Sequence, residues 1–237
     1  MVLAAVGSLW TTPRRIHLEN TFNFAPIKEV ALLFIGIFAT MVPALNYLYT
    51  HAQDSRFKTY LNTPGQYYFM TGALSSVLDN APTYLTYLES ELGKLDPVLV
   101  ERAKHIIRTP GKLAPGPEDM VGLDARQQEE LVRAVGAIQQ FHGAKVRDGQ
   151  VRDDAIEVAF MLSDPRKSLF LMAISLGAVF FGACTYIGNG PNFMVKSIAE
   201  HAGARCSSFF GYILCYTLPV LLPVFILIWA LFLRGPP

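Results

Sequence analysis

The sequence predicts an all-α membrane protein: two spanning helices, a re-entrant helical hairpin and a discontinuous helix, with a helical extramembrane insertion. Three observations predict it. The 237 residues are 51% hydrophobic and only 16% charged, and mean hydropathy is positive, as in chains that live in lipid. Two apolar stretches, residues 27–49 and 207–233, reach the about 20 residues that cross a hydrocarbon core. Two motifs, Asn80-Ala81-Pro82-Thr83 and Asn189-Gly190-Pro191-Asn192, put proline and amides inside apolar sequence, where an unbroken helix wants neither.

Residues 1–26 read as an amino-terminal interfacial segment. Its start, MVLAAVGSLWTTPRR, lacks the positive n-region and small-residue cleavage site of a secretory signal and looks like the tail of something continuing upstream. Residues 27–93 form the first membrane unit. It holds the span 27–49, with Pro43 as a kink and Tyr47 and Tyr49 at the level of an aromatic belt. In residues 64–93 each arm around the Asp79-Asn80-Ala81-Pro82 break is too short to span, which points to a re-entrant helix–turn–helix hairpin. One kinked spanning helix is the alternative.

Residues 94–165 are charged and punctuated by Gly and Pro, an extramembrane helical insertion. Asp96-Pro97 is an N-cap followed by proline at the first helical position, with Leu99, Ala103 and Ile106 on one face. A flexible piece, TPGKLAPGPED, follows. Glu118 to Phe141 reads as one helix with Leu131, Val135 and Ile138 on a stripe, and Asp153 caps another that stops at Asp164-Pro165. These helices lie on the membrane surface or pack on the membrane core, because mixed charge leaves no basic amphipathic face. Residues 166–237 hold a helix broken at residues 188–192 and a final span with Pro219, Pro223 and Trp229.

The breaks carry the chemistry. Pro82 cannot donate to the carbonyl of Leu78, nor Pro191 to that of Ile187, and the preceding Ala81 and Gly190 are expected to leave helical geometry. New half-helices would start near Thr83 and Asn192, each presenting a positive N-terminal half-dipole beside unpaired carbonyls. Pro82, Gly188, Gly190 and Pro191 are the helix-breaking residues. Ser75, Ser76, Asp79, Asn80 and Thr83 around the first break, and Thr185, Tyr186, Asn189 and Asn192 around the second, offer hydroxyl, amide and carboxylate groups. Such hard ligands suit Na⁺ or hydrogen-bond a carboxylate substrate. A Na⁺ at Asp79, Asn80 and Asn189 is the metal reading.

Asp79 stands out, since a carboxylate at the centre of a spanning helix costs about 2.5–3.5 kcal/mol on insertion scales. It is a proton or cation site, or a cap on the half-helix that follows. Ser75 and Thr185 either act in the site or bond their own i−4 carbonyls. Lys196 and Glu200, at i and i+4 after the second break, either close an ion pair or contact substrate.

The remaining signals are bland. His17, His51, His105, His142 and His201 have no metal-ligand spacing, and Cys184, Cys206 and Cys215 read as packing residues. No HExxH, GxSxG, Ser-His-Asp order or P-loop is present, so the chain reads as a non-enzyme without nucleotide-driven chemistry. A net charge of +1 gives no nucleic-acid footprint.

The stretches GALSSVLDNAPTYLTYL, GACTYIGNGPNFMVKSIAE, SSFFGY and KEVALLFIGIF together resemble the citrate-transport and sodium:proton antiporter proteins of the ion transporter superfamily. The resemblance implies two inverted repeats, each with a re-entrant hairpin and a broken helix, in a secondary transporter of the bacterial inner (plasma) membrane. It maps the hairpin tip to Ser76 through Thr83 and the unwound stretch to Thr185 through Asn192. Members are about twice as long, and this chain resembles their C-terminal repeat. The other half then comes from a second polypeptide, a second copy or the remainder of a longer reading frame, and the resemblance implies a homodimer. The implied activity is sodium:proton antiport. The alternatives are Na⁺- or H⁺-coupled transport of citrate or another dicarboxylate, and a non-transporting membrane subunit or truncated remnant. Na⁺ and H⁺ would be coupling ions rather than bound cofactors, and the partners are membrane lipid and an inorganic cation or carboxylate substrate.

Overall fold

The computed structural model describes residues 2–19, 61–109, 111–112, 114–147, 150–201 and 203–234, with isolated positions between 28 and 46. The expected span 27–49 lies largely outside the described residues. Among those described, all regular structure is helical. Helices α1 (Val2–Thr11) and α2 (Arg14–Glu19) precede α3 (Pro64–Ser75) and α4 (Asn80–Leu92). The insertion holds α5 (Pro97–Arg108), α6 (Pro117–Met120), α7 (Ala125–Arg147) and α8 (Asp153–Leu162). Helix α9 (Pro165–Phe181) continues into a 3₁₀ turn at Gly182–Cys184, α10 is Gly190–His201, and α11 runs over Phe209–Leu233.

Local chemistry sets most helix starts. At α3 a capping box closes both directions: Gln66 N–H donates to Thr63 Oγ1 at 3.2 Å while Thr63 N–H donates to Gln66 Oε1 at 3.0 Å. Asp96 and Asp164 accept from the N–H groups of Val98 and Arg166 at 2.9 and 2.8 Å, each followed by proline at the first helical position.

Three details differ from expectation. The stretch 118–141 is two helices, because Gly122 takes a positive φ of 77° and Asp124 restarts the chain by exchanging bonds with Gln127. Asp153 is the first residue of α8, while the extended cap is Arg152 (φ −73°, ψ 152°), and Asp164-Pro165 opens α9. Finally, the piece before α6 is tied down: Asp119 is buried, accepting from Gly116 N–H and Lys112 Nζ, both at 2.7 Å.

The insertion has its own core. Leu99, Ala103 and Ile106 of α5, and Leu131, Val135 and Ile138 of α7, are at most 1% exposed and meet Ile156 and Phe160 of α8. The same cluster takes in Leu88 and Leu92 of α4, then Leu95, with Phe170 and Leu171 of α9 packed against it. The insertion is therefore seated on the ends of α4 and α9, and Lys167 of α9 pairs with Glu130 of α7. Lys104 is buried among Glu157 at 3.1 Å, Glu101 at 3.2 Å and Asp153 at 3.6 Å. Burial alone would lower its pKa, but the hydrogen bonds with Glu157 and Glu101 outweigh that and raise it.

Helices α3 and α9 run parallel, Tyr67 meeting Phe170 and Ser75 meeting Ala178. Glycine permits the approach: a Cβ at Gly177 would lie 2.5 Å from the Tyr68 carbonyl. Helix α11 returns antiparallel, with Thr217 beside Cys184, Phe225 beside Phe181 and Trp229 beside Phe69. Pro219 removes a donor from α11, and Leu222 N–H reaches five residues back to the carbonyl of Thr217. Pro165–Cys184 and Phe209–Leu233, 20 and 25 residues long, are long and apolar enough to cross a membrane.

Candidate functional site at two helix breaks

Both expected breaks exist. Helix α3 ends at Ser75, the chain is extended at Asp79 (φ −63°, ψ 153°), and α4 begins at Asn80. After Cys184 the chain is extended at Thr185 (φ −140°, ψ 165°) and stays non-helical over 185–189 until α10 begins at Gly190. The prolines, however, do not make the breaks. Pro82 and Pro191, with the preceding Ala81 and Gly190, sit inside the first turns of the new helices. A first turn has no i−4 acceptor for its N–H groups, so a missing donor costs little there. Pro82 and Pro191 start helices rather than stop them, and the half-helices begin at Asn80 and Gly190 instead of Thr83 and Asn192.

The two breaks meet. Thr185 Oγ1 donates to the Ser76 carbonyl at 2.5 Å and accepts from Gly188 N–H at 3.0 Å. Ser75 Oγ donates to the Ala178 carbonyl at 2.5 Å and lies 3.0 Å from Asn80 Oδ1. Neither hydroxyl bonds its own i−4 carbonyl; both stitch one broken helix to the other. Asp79 receives the start of each new helix: Gly190 N–H donates to Oδ2 at 3.2 Å, and Ala81 N–H makes a long 3.5 Å contact to Oδ1. Two positive half-dipoles, each about half an elementary charge, therefore face one carboxylate.

Glycine lets the backbones touch. A Cβ at Gly188 would stand 2.8 Å from the carbonyl oxygens of Gly182 and Ser75 and 2.9 Å from that of Ser76, and one at Gly182 would collide with Asn80 Oδ1. The carbonyl oxygens of Ser75, Ser76 and Gly182 thus gather around Gly188, whose N–H is held by Thr185 Oγ1, while Asn80 Oδ1 lies against Gly182.

Other expected residues contribute less directly. Ser76 Oγ turns back to the Ala73 carbonyl at 2.7 Å, so only its carbonyl joins the junction. Thr83 is fully buried, and among the described residues its hydroxyl has no hydrogen-bond partner. Asn189 takes part through its carbonyl, which accepts from the N–H groups of Asn192 and Phe193 at 3.0 and 3.4 Å. Asn192 Nδ2 makes a long 3.4 Å contact to the Gly182 carbonyl.

Sequence reasoning missed the part played by α11. Carbonyls left by the second break are answered from that helix: Thr217 Oγ1 donates to Cys184 at 2.6 Å and Tyr212 Oη to Ala183 at 3.1 Å. A hydroxyl inside the most apolar helix was the available signal for Thr217. Gly182 carried a signal only as a small residue beside a break.

Among the described residues the chain is all-helical, and interrupted helices that present their ends at one junction are an arrangement that transporters use. Residues 1–233 match the family model described as "Putative citrate transport", and the chain belongs to that family. No curated protein and no solved structure matches the chain.

Proposed function

We propose that the junction binds a cation together with a carboxylate of the citrate type, and that the chain carries both across the membrane. The observation that supports this most is Asp79, which accepts backbone N–H groups from α4 and α10 at once. Half-helix ends attract an anion, yet an incoming carboxylate would meet the charge of Asp79. A Na⁺ held by Asp79, Asn80 and the Asn189 carbonyl removes that repulsion, so substrate binding requires the cation.

Helices α3 and α4, of 12 and 13 residues, are about 18–20 Å long. That is short of the roughly 30 Å hydrocarbon core, which favours a re-entrant hairpin. The family resemblance adds a second repeat or second copy to complete the site, and a bacterial inner membrane as its place. Sodium:proton antiport, with Asp79 as the ion-exchanging carboxylate, is the second reading and rests on the same residue.

The test is labelled-citrate uptake into proteoliposomes under an inward Na⁺ gradient. Uptake is expected to need Na⁺ and to fall to background in Asp79→Asn. Wild-type uptake by that variant sinks the role of Asp79. Na⁺-driven collapse of a pH gradient without citrate uptake replaces the first reading by the second.

A further inference from the structure

Lys196 and Glu200 are the only Lys, Arg, Asp or Glu side chains between Lys167 and Arg205, and the junction leaves them unused. Lys196 Nζ is 2.6 Å from Glu200 Oε1. The pair runs the wrong way for helix α10: the lysine is nearer the positive N-terminal end and the glutamate nearer the negative one. Helix stability therefore gains little from placing two charges in apolar sequence, where charge is costly and commonly marks a ligand path.

The ammonium also lies over an aromatic face. Lys196 Nζ is 5.2 Å from the ring centroid of Tyr186, within cation–π range. Tyr186 belongs to the non-helical stretch 185–189, and its ring packs 4.6 Å from that of Tyr212, whose hydroxyl holds the Ala183 carbonyl. Lys196 thus stands above the loop that wedges Gly188 against the hairpin tip. It is held inward, its side chain 21% exposed, while Glu200 is 45% exposed.

We infer that Lys196 binds a second carboxylate of the transported anion, and that Glu200 occupies the ammonium until substrate displaces it. One carboxyl group of a di- or tricarboxylate then sits at the cation beside Asp79 and another at Lys196, with Tyr186 supporting the ammonium. Exchange of one carboxylate for another at the same ammonium conserves charge. This inference rests on the carboxylate-transport reading.

The experiment measures KM and maximal rate of Na⁺-driven labelled-citrate uptake for the wild type, Lys196→Gln, Lys196→Arg, Glu200→Gln and the double variant. Lys196→Gln is expected to raise KM about tenfold, the worth of a charge-assisted hydrogen bond, with the maximal rate little changed. Lys196→Arg should restore most of the affinity. Glu200→Gln should lower KM, since a competitor is gone, and should have no effect once Lys196 is Gln. A merely structural pair would move both single variants the same way and reduce maximal rate and folded yield together; that result, or an unchanged KM in Lys196→Gln, overturns the inference. Should Lys196→Gln fail to insert, the KM of Glu200→Gln decides alone: a fall supports the inference, and no fall overturns it. A wild type that takes up no citrate removes the carboxylate reading and this inference with it, whereas wild-type uptake with unaffected variants removes only the inference.

Discussion

The insertion and the junction end their helices in opposite ways. In the insertion three of the four helix starts are closed by side chains of neighbours in sequence: Asp96 holds Val98 N–H, Asp124 exchanges bonds with Gln127, and Asp119 holds Gly116 N–H. At the junction the start of α10 is closed by Asp79, 111 residues upstream, and the Ser76 carbonyl is answered by Thr185, 109 residues downstream. Charge follows the same division. Lys104 is neutralised by three carboxylates, whereas Asp79 faces two helix ends. Local closure ties each helix start to its own neighbours in sequence; long-range closure ties together two segments more than a hundred residues apart.

The largest effect should come from glycine, and it should differ between the regions. At Gly188 an added methyl meets three backbone carbonyls, none of which can swing aside, so Gly188→Ala should abolish citrate uptake while amide exchange in α5 and α7 stays protected. At Gly122 there is open space but a φ of +77°, and Gly122→Ala should cost about 1 kcal/mol in the insertion and leave uptake intact. Equal effects at both positions would erase the contrast.

Next comes the insertion core. Leu131 is fully buried, and Leu131→Ala should destabilise α5, α7 and α8 by about 2–5 kcal/mol, read by hydrogen exchange mass spectrometry. Thr217→Val, nearly isosteric, should leave the Cys184 carbonyl without its donor and cost about 1–3 kcal/mol, seen as a lower melting temperature in detergent and loosened exchange around 182–189.

The smallest effect is that of pH on the insertion. Burial raises the pKa of Asp119, but hydrogen bonds from Lys112 and Gly116 N–H outweigh it, and the net shift is downward. A depressed carboxylate contributes stability that is complete above its unfolded value and lost as pH falls through the folded one. Lys104 has a raised pKa, so its contribution is complete below its unfolded value and lost as pH rises through the higher folded value. Protection of α5 amides should therefore be level between these ranges and fall on both sides. Asp119→Asn should shrink the acid limb to the part owed to Glu118, whose carboxyl Lys112 also holds down, and should leave the alkaline limb in place; an undiminished acid limb in that variant breaks the assignment.

Much of this was legible from local pattern. The apolar faces of α5 and α7, the cap at Asp96, the final span and the positions of both breaks follow from periodicity and from the preferences of a few residues within four positions of one another; Asp164-Pro165 reads in sequence as a helix stop because the same dipeptide ends one helix and caps the next. The prolines were misjudged for the same reason: spacing reveals a missing donor but not whether it falls in a helix interior or a first turn, and the caps upstream decide that. The hydroxyls of Ser75 and Thr185 were ambiguous between a bond to their own helix and one across the junction, and the nearness of Ala178 and Ser76 resolved it.

By itself the sequence determined where helices could begin and end, because caps, glycine and proline act over one turn of backbone, and it supplied an unusual carboxylate in apolar surroundings. Only the tertiary structure decided that Asp79 serves two helices, that Gly188 lies against three carbonyls and that α11 answers the second break. Most of those contacts join residues tens to more than a hundred positions apart, and they exist because small residues at Gly72, Gly177 and Gly182 let separate backbones come close.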